Sequence, residues 1–571
     1  MSVEDNAPQT GTTEADGGAD LHAAARELVA GLLDEPWGQV SPSVYETGRL
    51  VTLAPWLRGH RRRLEHLVAT QRPDGGWGGF GGYSIVPTLS AVEALLEALR
   101  RTPDGTAGTA AQLRPAERGL QQLARMLPCM DARAIPDTPA NDLIIAALIR
   151  SINDRLGDVT GRAGTALSPL SFAGRLALPA GVDGARLEMV RAAVRNGTGL
   201  PLKVLHALEV VGTAARGHHA IKPEPTGTVG ASAAATAAWL DETGRSGDAA
   251  ARGRARRFLE RVVDGHGGLA PCGIPITVFE RSWVVSGLIR SGLAVRVPAQ
   301  IVSELAAALG PGGAAAALGL PADADTTSVT LYTLALLGKP HAPDALWEFE
   351  TETHFCTWPG EQGFSVTVNA HVLDAFGQYL RTASMGGTPP PHGVPANAGM
   401  ARYREAVRKL TRLLSERQRY DGSWSDRWHA SPYYSTMCCA LALSQFGDDA
   451  GNRDVGTSVR WAHEWVLTTQ RSDGSWGRWE GTAEETAYAL QTLALTGPMA
   501  PEVEESFNRG CDFLHRTANG RDDCGISGPA LWHDKDLYHP RAIVKGAVLS
   551  ALHLADTARQ AHGGAVRRSH M

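Results

Sequence analysis

Two carboxylates one residue apart, in the run Asp323-Ala-Asp325-Thr326-Thr327, stand directly before an apolar-periodic segment. Carboxyl groups this close at the mouth of a cavity raise one another's pKa, so that one can stay protonated at neutral pH and deliver its proton. The same residues are also good helix caps, because Asp and Thr accept from free backbone N–H groups and acids suit the positive end of a helix dipole. A second recurrent feature is Gln71-Arg-Pro-Asp-Gly-Gly-Trp77, which returns as Gln418-Arg-Tyr-Asp-Gly-Ser-Trp424 and Gln470-Arg-Ser-Asp-Gly-Ser-Trp476. Asp-Gly marks a tight turn, since Gly tolerates positive φ. The Gln amide and the indole six residues on are expected to staple that turn between helices; a ligand platform is the functional reading.

The elements that must position these groups read as helices. Thr482-Ala-Glu-Glu485 has the form of a capping box, with Ala487, Leu490 and Ala494 along one face behind it and Gly497-Pro498 as a stop. Thr326–Leu337 carries apolar Val329, Leu331, Leu334 and Leu337, and Leu143–Ile149, Ala231–Leu240 and Val544–Leu554 are similar. Alternating strand patterns are scarce. Helix pairs separated by Gly/Pro turns over some 500 residues predict an all-α protein of stacked αα-barrels or solenoids. The composition, 43% hydrophobic and 20% charged over 571 residues, is globular, and a net charge of -5 leaves no electrostatic footprint for nucleic acid. No segment has the ~20 apolar residues of a membrane span. The polar, acidic first 20 residues resemble neither a secretory signal nor a transit peptide, so the chain is read as cytoplasmic. The seven cysteines form no Cys-x-x-Cys pair, which argues against a zinc ribbon or a disulfide framework.

Together with the acidic run and the three Gln…Trp repeats, several stretches resemble the class II terpene cyclases, specifically the bacterial copalyl and drimenyl diphosphate synthase type, with squalene-hopene cyclases as more distant relatives. They include Gly38-Gln-Val-Ser-Pro-Ser-Val-Tyr45, Lys203-Val-Leu-His-Ala-Leu-Glu209, Phe279-Glu-Arg-Ser-Trp283, Ser431-Pro-Tyr-Tyr434 and Leu531-Trp-His-Asp-Lys-Asp-Leu-Tyr538. The resemblance spans about residues 22–555. It implies two (α/α)-barrel domains with one inserted into the other: residues 22–45 and 296–571 as the β domain, 46–295 as the γ domain, and 1–21 as a disordered tail. No class I domain is implied: Asp448-Asp449 with Asp454 has the wrong spacing for an ionising metal cluster, and Asp522-Asp523 lacks a third acid.

The activity implied is proton-initiated cyclisation of a linear prenyl diphosphate that keeps its diphosphate. The family's D-x-D-D acid reads D-x-D-T here, with Asp325 as proton donor, Asp323 as its helper and Thr326 in place of the last carboxylate. This variant resembles the drimenyl type, which implies farnesyl diphosphate as substrate; geranylgeranyl diphosphate, giving a copalyl or labdane-type product, is the alternative. Of Asn369 and His371, His371 is expected to contact the donor. Trp283, Trp358, Tyr433 and Tyr434, and more weakly Tyr332 and Phe364, are candidates to face the carbocations. His206 matches the family's deprotonation His, while Cys272 stands where an Asn is expected and is a poorer holder of water. Arg427, then Lys203 and Lys535, with Arg191 or Arg195, are candidates for the diphosphate. Mg2+ is implied as an aid to diphosphate binding, with Asp131 or Asp137 in its neighbourhood. A protein prenyltransferase-like barrel would need zinc ligands, and a non-catalytic barrel scaffold is a third possibility raised by Thr326 and Cys272.

Overall fold

The computed structural model describes residues 14–102, 109–161, 170, 172, 174–240, 248–361, 363–384, 396–447, 454–498, 500–518 and 528–569. The Asp448-Asp449 and Asp522-Asp523 pairs lie outside them. Among the described residues the only ladder is a two-residue antiparallel pair, Trp532–His533 with Leu537–Tyr538; the rest is helix, turn and isolated bridges. Among the described residues no helix is long and apolar enough to cross a membrane.

Apolar side chains gather into two large cores. The first takes residues from Ala25 to Val40 and then from Ile276 to Ala555, plus Cys272. The second runs from Tyr45 to Ile274. In the first, six helices form a closed ring: Thr277–Arg290, Ala324–Leu336, Val366–Ser384, Pro432–Phe446, Ala483–Thr496 and Arg541–Ser569, each packed on the next and the last returning to the first. Glu14–Asp34, Ala299–Ala308, Ala396–Glu416, Asp454–Thr468 and Pro501–Ala518 lie outside the ring. In the second core Val44–Leu53, Ile85–Arg101, Asn141–Gly161, the Leu208–Ala215 turn and Ala233–Trp239 close a smaller ring. The Thr277–Arg290 helix, expected in the 46–295 segment, belongs to the ring of the first core, because Trp283, Val284, Val285 and Leu288 pack there. The first helix already begins at Glu14, so the expected tail of residues 1–21 is helical over its last part.

The three Gln…Trp repeats act as staples. In each, the Gln Nε2 donates to the turn glycine's carbonyl and to a second helix: Gln71 to Gly75 and Pro115, Gln418 to Gly422 and Ser458, Gln470 to Gly474 and Ser506, all at 2.8–2.9 Å. Each indole is fully buried and donates backwards, Trp77 to Leu67, Trp424 to Leu414 and Trp476 to Val466. Half of the capping box is present: Thr482 Oγ1 accepts from the Glu485 N–H at 3.0 Å, while the Thr482 N–H donates to the Trp476 carbonyl rather than to Glu485.

Candidate active site

The Asp325 helix (Ala324–Leu336) starts where Asp323, extended, accepts the Thr326 N–H on Oδ1 at 2.6 Å. Asp323 is therefore the N-cap, and Asp325 projects from the first turn. The His371 helix (Val366–Ser384) packs beside it and brings His371 Nδ1 to 2.6 Å from Asp325 Oδ1. The Asp325 side chain keeps 18% of its surface exposed against 8% for His371, so the acid is the accessible member of the pair. Burial disfavours a charged imidazole, but the Asp325 carboxylate outweighs it and lifts the His371 pKa well above 6.5. Burial, with the charge of Asp325 added, pushes the Asp323 carboxyl up to about 7 against the pull of the Thr326 N–H. With its pKa raised, His371 donates from Nδ1 to one oxygen of Asp325. Thr326 serves Asp323 through both its backbone N–H and its side chain. Asn369 is turned elsewhere: it accepts the Phe355 N–H at 2.9 Å and donates to the Phe355 and Ser365 carbonyls, fixing a loop rather than the acid.

Aromatic rings pack around this pair. A cavity of about 80 Å³ lies on its His371 side, with Trp283, Tyr332, His371, Tyr434 and Tyr488 in its walls. Trp283 meets His371 edge-on at 5.4 Å and donates its indole N–H to Tyr434 Oη at 2.9 Å. Tyr433, the neighbour of Tyr434, points away and stacks on Trp465 at 4.6 Å, so it is outer packing rather than a wall of the cavity. Phe364 likewise sits against His354 and Arg417, away from that cavity. The sequence reading missed Tyr488 and a buried pair, Arg290 with Asp374 at 2.5 Å, that also lines the cavity. The i, i+3 spacing of His371 and Asp374 on one helix was the available signal for the latter.

His206 lies on the seam between the cores, and its geometry differs from that of a free base. Nδ1 is 2.6 Å from the Gly230 carbonyl and Nε2 2.7 Å from Asp534 Oδ1. Both partners only accept, so both ring nitrogens donate and the ring is an imidazolium with no lone pair to offer. Burial opposes that charge, and Asp534 outweighs it, raising the pKa above 6.5. Cys272 is buried beside it, its Sγ 3.8 Å from the Asp536 carbonyl, and burial pushes the thiol pKa well up. Lys535, in the same turn as Asp534, is fully buried. It spends its donors on Glu46 at 2.5 Å, Glu209 at 2.9 Å, Ser232 Oγ and the His206 carbonyl. It is a structural cation and is not free to reach a diphosphate.

The cations at the mouth are arranged otherwise. Asp426 accepts from Ser365 Oγ and from the Thr367 and Trp428 N–H groups, which fixes the turn that presents Arg427. Arg427 pairs with Glu361 and, across to the second core, with Asp137 at 2.8 Å; its buried Nε has no hydrogen-bond partner among the described residues. Its guanidinium lies 4.7 Å from the Trp428 ring, which meets Trp358 edge-on at 5.3 Å, and exposed Lys203 of the second core approaches Trp358 at 6.0 Å. Trp358 therefore belongs to this mouth rather than to the cavity wall. Arg191 holds the Val210 carbonyl and Glu188, and Arg195 is exposed. Among the described residues no three His, Cys, Asp or Glu side chains gather as a metal site. Asp131 is paired with Arg133 and Asp137 with Arg427, so as they stand these two carboxylates do not gather as a site that fits a resident Mg2+.

Residues 394–524 match the family model described as the squalene-hopene cyclase C-terminal domain. The chain is 40% identical over 537 residues to an ent-copalyl diphosphate synthase of Streptomyces sp. (strain KO-3988), covering 94% of this chain and 96% of that protein. It is 38% identical to a labda-7,13-dienyl diphosphate synthase of Streptomyces clavuligerus, covering 94% and 93%. The solved structure of ent-copalyl diphosphate synthase from Streptomyces platensis superposes with a TM-score of 0.83 at 41% identity, over 94% of this chain and 99% of that one. The chain belongs to the bacterial class II terpene cyclases, a family of enzymes.

Proposed function

We propose that the protein cyclises geranylgeranyl diphosphate to a bicyclic copalyl or labdane-type diphosphate. The observation that carries the chemistry is the Asp325–His371 pair beside an aromatic wall. Protonated on its outer oxygen while His371 donates to the other, Asp325 gives a proton to the terminal double bond. The C–H bond forms as the π pair is consumed, and a tertiary cation remains. Two internal double bonds attack in turn, closing two rings; the bicyclic cation then gives one proton to solvent and the Asp325 carboxylate takes one back, so the proton count closes. The diphosphate is carried through unchanged. Water is kept out because it would quench the cation. The cavity of about 80 Å³ is too small for the chain, so the prenyl tail needs room beyond it, on the exposed side of Asp325. Arg427 and Lys203 take the diphosphate at the mouth, with the phosphate oxygens exchanging for Asp137 and Glu361.

The relatives' names favour this C20 reading over the farnesyl reading that Thr326 suggests: several are copalyl or labda-7,13-dienyl diphosphate synthases. The test is incubation of the purified protein with geranylgeranyl and farnesyl diphosphates, dephosphorylation, and mass analysis. A bicyclic C20 alcohol is expected, formed about 10²–10⁴ times more slowly with Asp325→Ala. A bicyclic C15 alcohol alone would move the substrate to farnesyl diphosphate, and no cyclic product from either would remove the reading.

A further inference from the structure

Behind the aromatic wall stands a carboxylate that the proton transfer does not use. Glu484 opens the Ala483–Thr496 helix and is buried, its side chain 4% exposed. One oxygen, Oε1, collects three ring donors: the Trp532 indole N–H at 2.8 Å, the Tyr488 hydroxyl at 3.1 Å and His429 Nε2 at 3.3 Å. The other, Oε2, has only His539 Nδ1 near it, at 3.7 Å. Among the described residues its ion-pair partners are these two histidines; no Lys or Arg neutralises it. The rings it holds touch one another. His429 stacks on Tyr434 at 4.5 Å and meets Trp532 edge-on at 4.9 Å, and Tyr434 lies 5.1 Å from Tyr488 and 4.8 Å from Trp532. Tyr434 and Tyr488 face the cavity that His371 also lines, and Tyr434 accepts from Trp283.

We propose that Glu484 is a positioning residue for cyclisation, fixing the planes of Trp532, Tyr488 and, through His429, Tyr434, and setting a negative charge behind their faces. Aromatic faces attract cations through the ring quadrupole, and an N–H or O–H that donates to a carboxylate leaves its ring richer in π density. An anion fixed in a water-poor site needs no rearrangement when positive charge appears in front of it. Glu484 thus acts on the cationic stage of the reaction, after Asp325 has given up its proton, and not on substrate capture.

This inference rests on the cyclase reading, and wild-type turnover measured in parallel reports on that reading separately. Glu484→Gln keeps the acceptor oxygen and the length but removes the charge. The expected result is a kcat lowered at least tenfold with KM within about threefold, and a larger share of monocyclic or otherwise arrested diphosphate products. Tyr488→Phe, which deletes one donor, should give a smaller change of the same kind. Near-ultraviolet circular dichroism reads the ring planes without turnover, and Glu484→Ala should lose much of that signal. Unchanged kcat and products in Glu484→Gln, or an unchanged aromatic spectrum in Glu484→Ala, would overturn the proposal. So would a fall confined to KM.

Discussion

A carboxyl that must protonate an alkene works only while it holds a proton, and here that depends on its neighbours. Asp323 titrates at about 7 in the folded protein, against ~3.9 in an unfolded chain. Stabilisation from its neutral form is complete below the unfolded value and is lost as pH climbs through about 7. Two outcomes are expected. The rate of cyclisation should fall as pH rises past about 7, when Asp323 loses its proton. Asp323→Asn, which keeps the N-cap acceptor, should melt above the wild type at pH 8 and match it at pH 4, while turning over more slowly; calorimetry at the two pH values checks the sign. Removing the acid itself, Asp325→Ala, should cost about 10²–10⁴ in kcat. The choice between Asn369 and His371 was legible because both are read against a helix: two residues apart, they cannot share a face, and the chain turns one to a loop and the other to Asp325.

At the scale of the element, the Gln…Trp staple was legible because its bonds run mostly within ten residues of the turn. Its glycine is the one position where backbone freedom is required. Gly422 sits at φ +94°, and an added Cβ would meet the Trp461 carbonyl oxygen at 2.3 Å, a backbone atom that cannot swing aside. Gly422→Ala should therefore destabilise, whereas Gly456→Ala, in the helix next to it with nothing within 4 Å, should be neutral or better; urea unfolding of the pair separates the two effects. Trp424→Ala, emptying a fully buried indole site, should cost about 3–5 kcal/mol. The assignment of Thr277–Arg290 to its ring was not legible. Its apolar residues mark it as buried, but local periodicity does not say which core receives them.

At the scale of the molecule, pairings across hundreds of residues decided what sequence could not. Lys535 looks like any basic residue in its turn until Glu46 and Glu209 are brought to it from the other core. His206 looks like a base until Asp534, 328 positions away, takes its second nitrogen. Lys535→Met should leave two buried carboxylates facing each other without a cation and cost about 3–5 kcal/mol, measured as a lowered urea midpoint. The first core also draws on both ends of the described chain, from Ala25 to Val40 and from Ile276 onward, whereas the second lies wholly between them. During synthesis the inner portion can assemble as soon as residue 274 has cleared the ribosome. The acid-bearing ring must wait for Arg541–Ser569, its closing stave, so a nascent polypeptide carries Asp325 in an open half-circle until that helix has emerged.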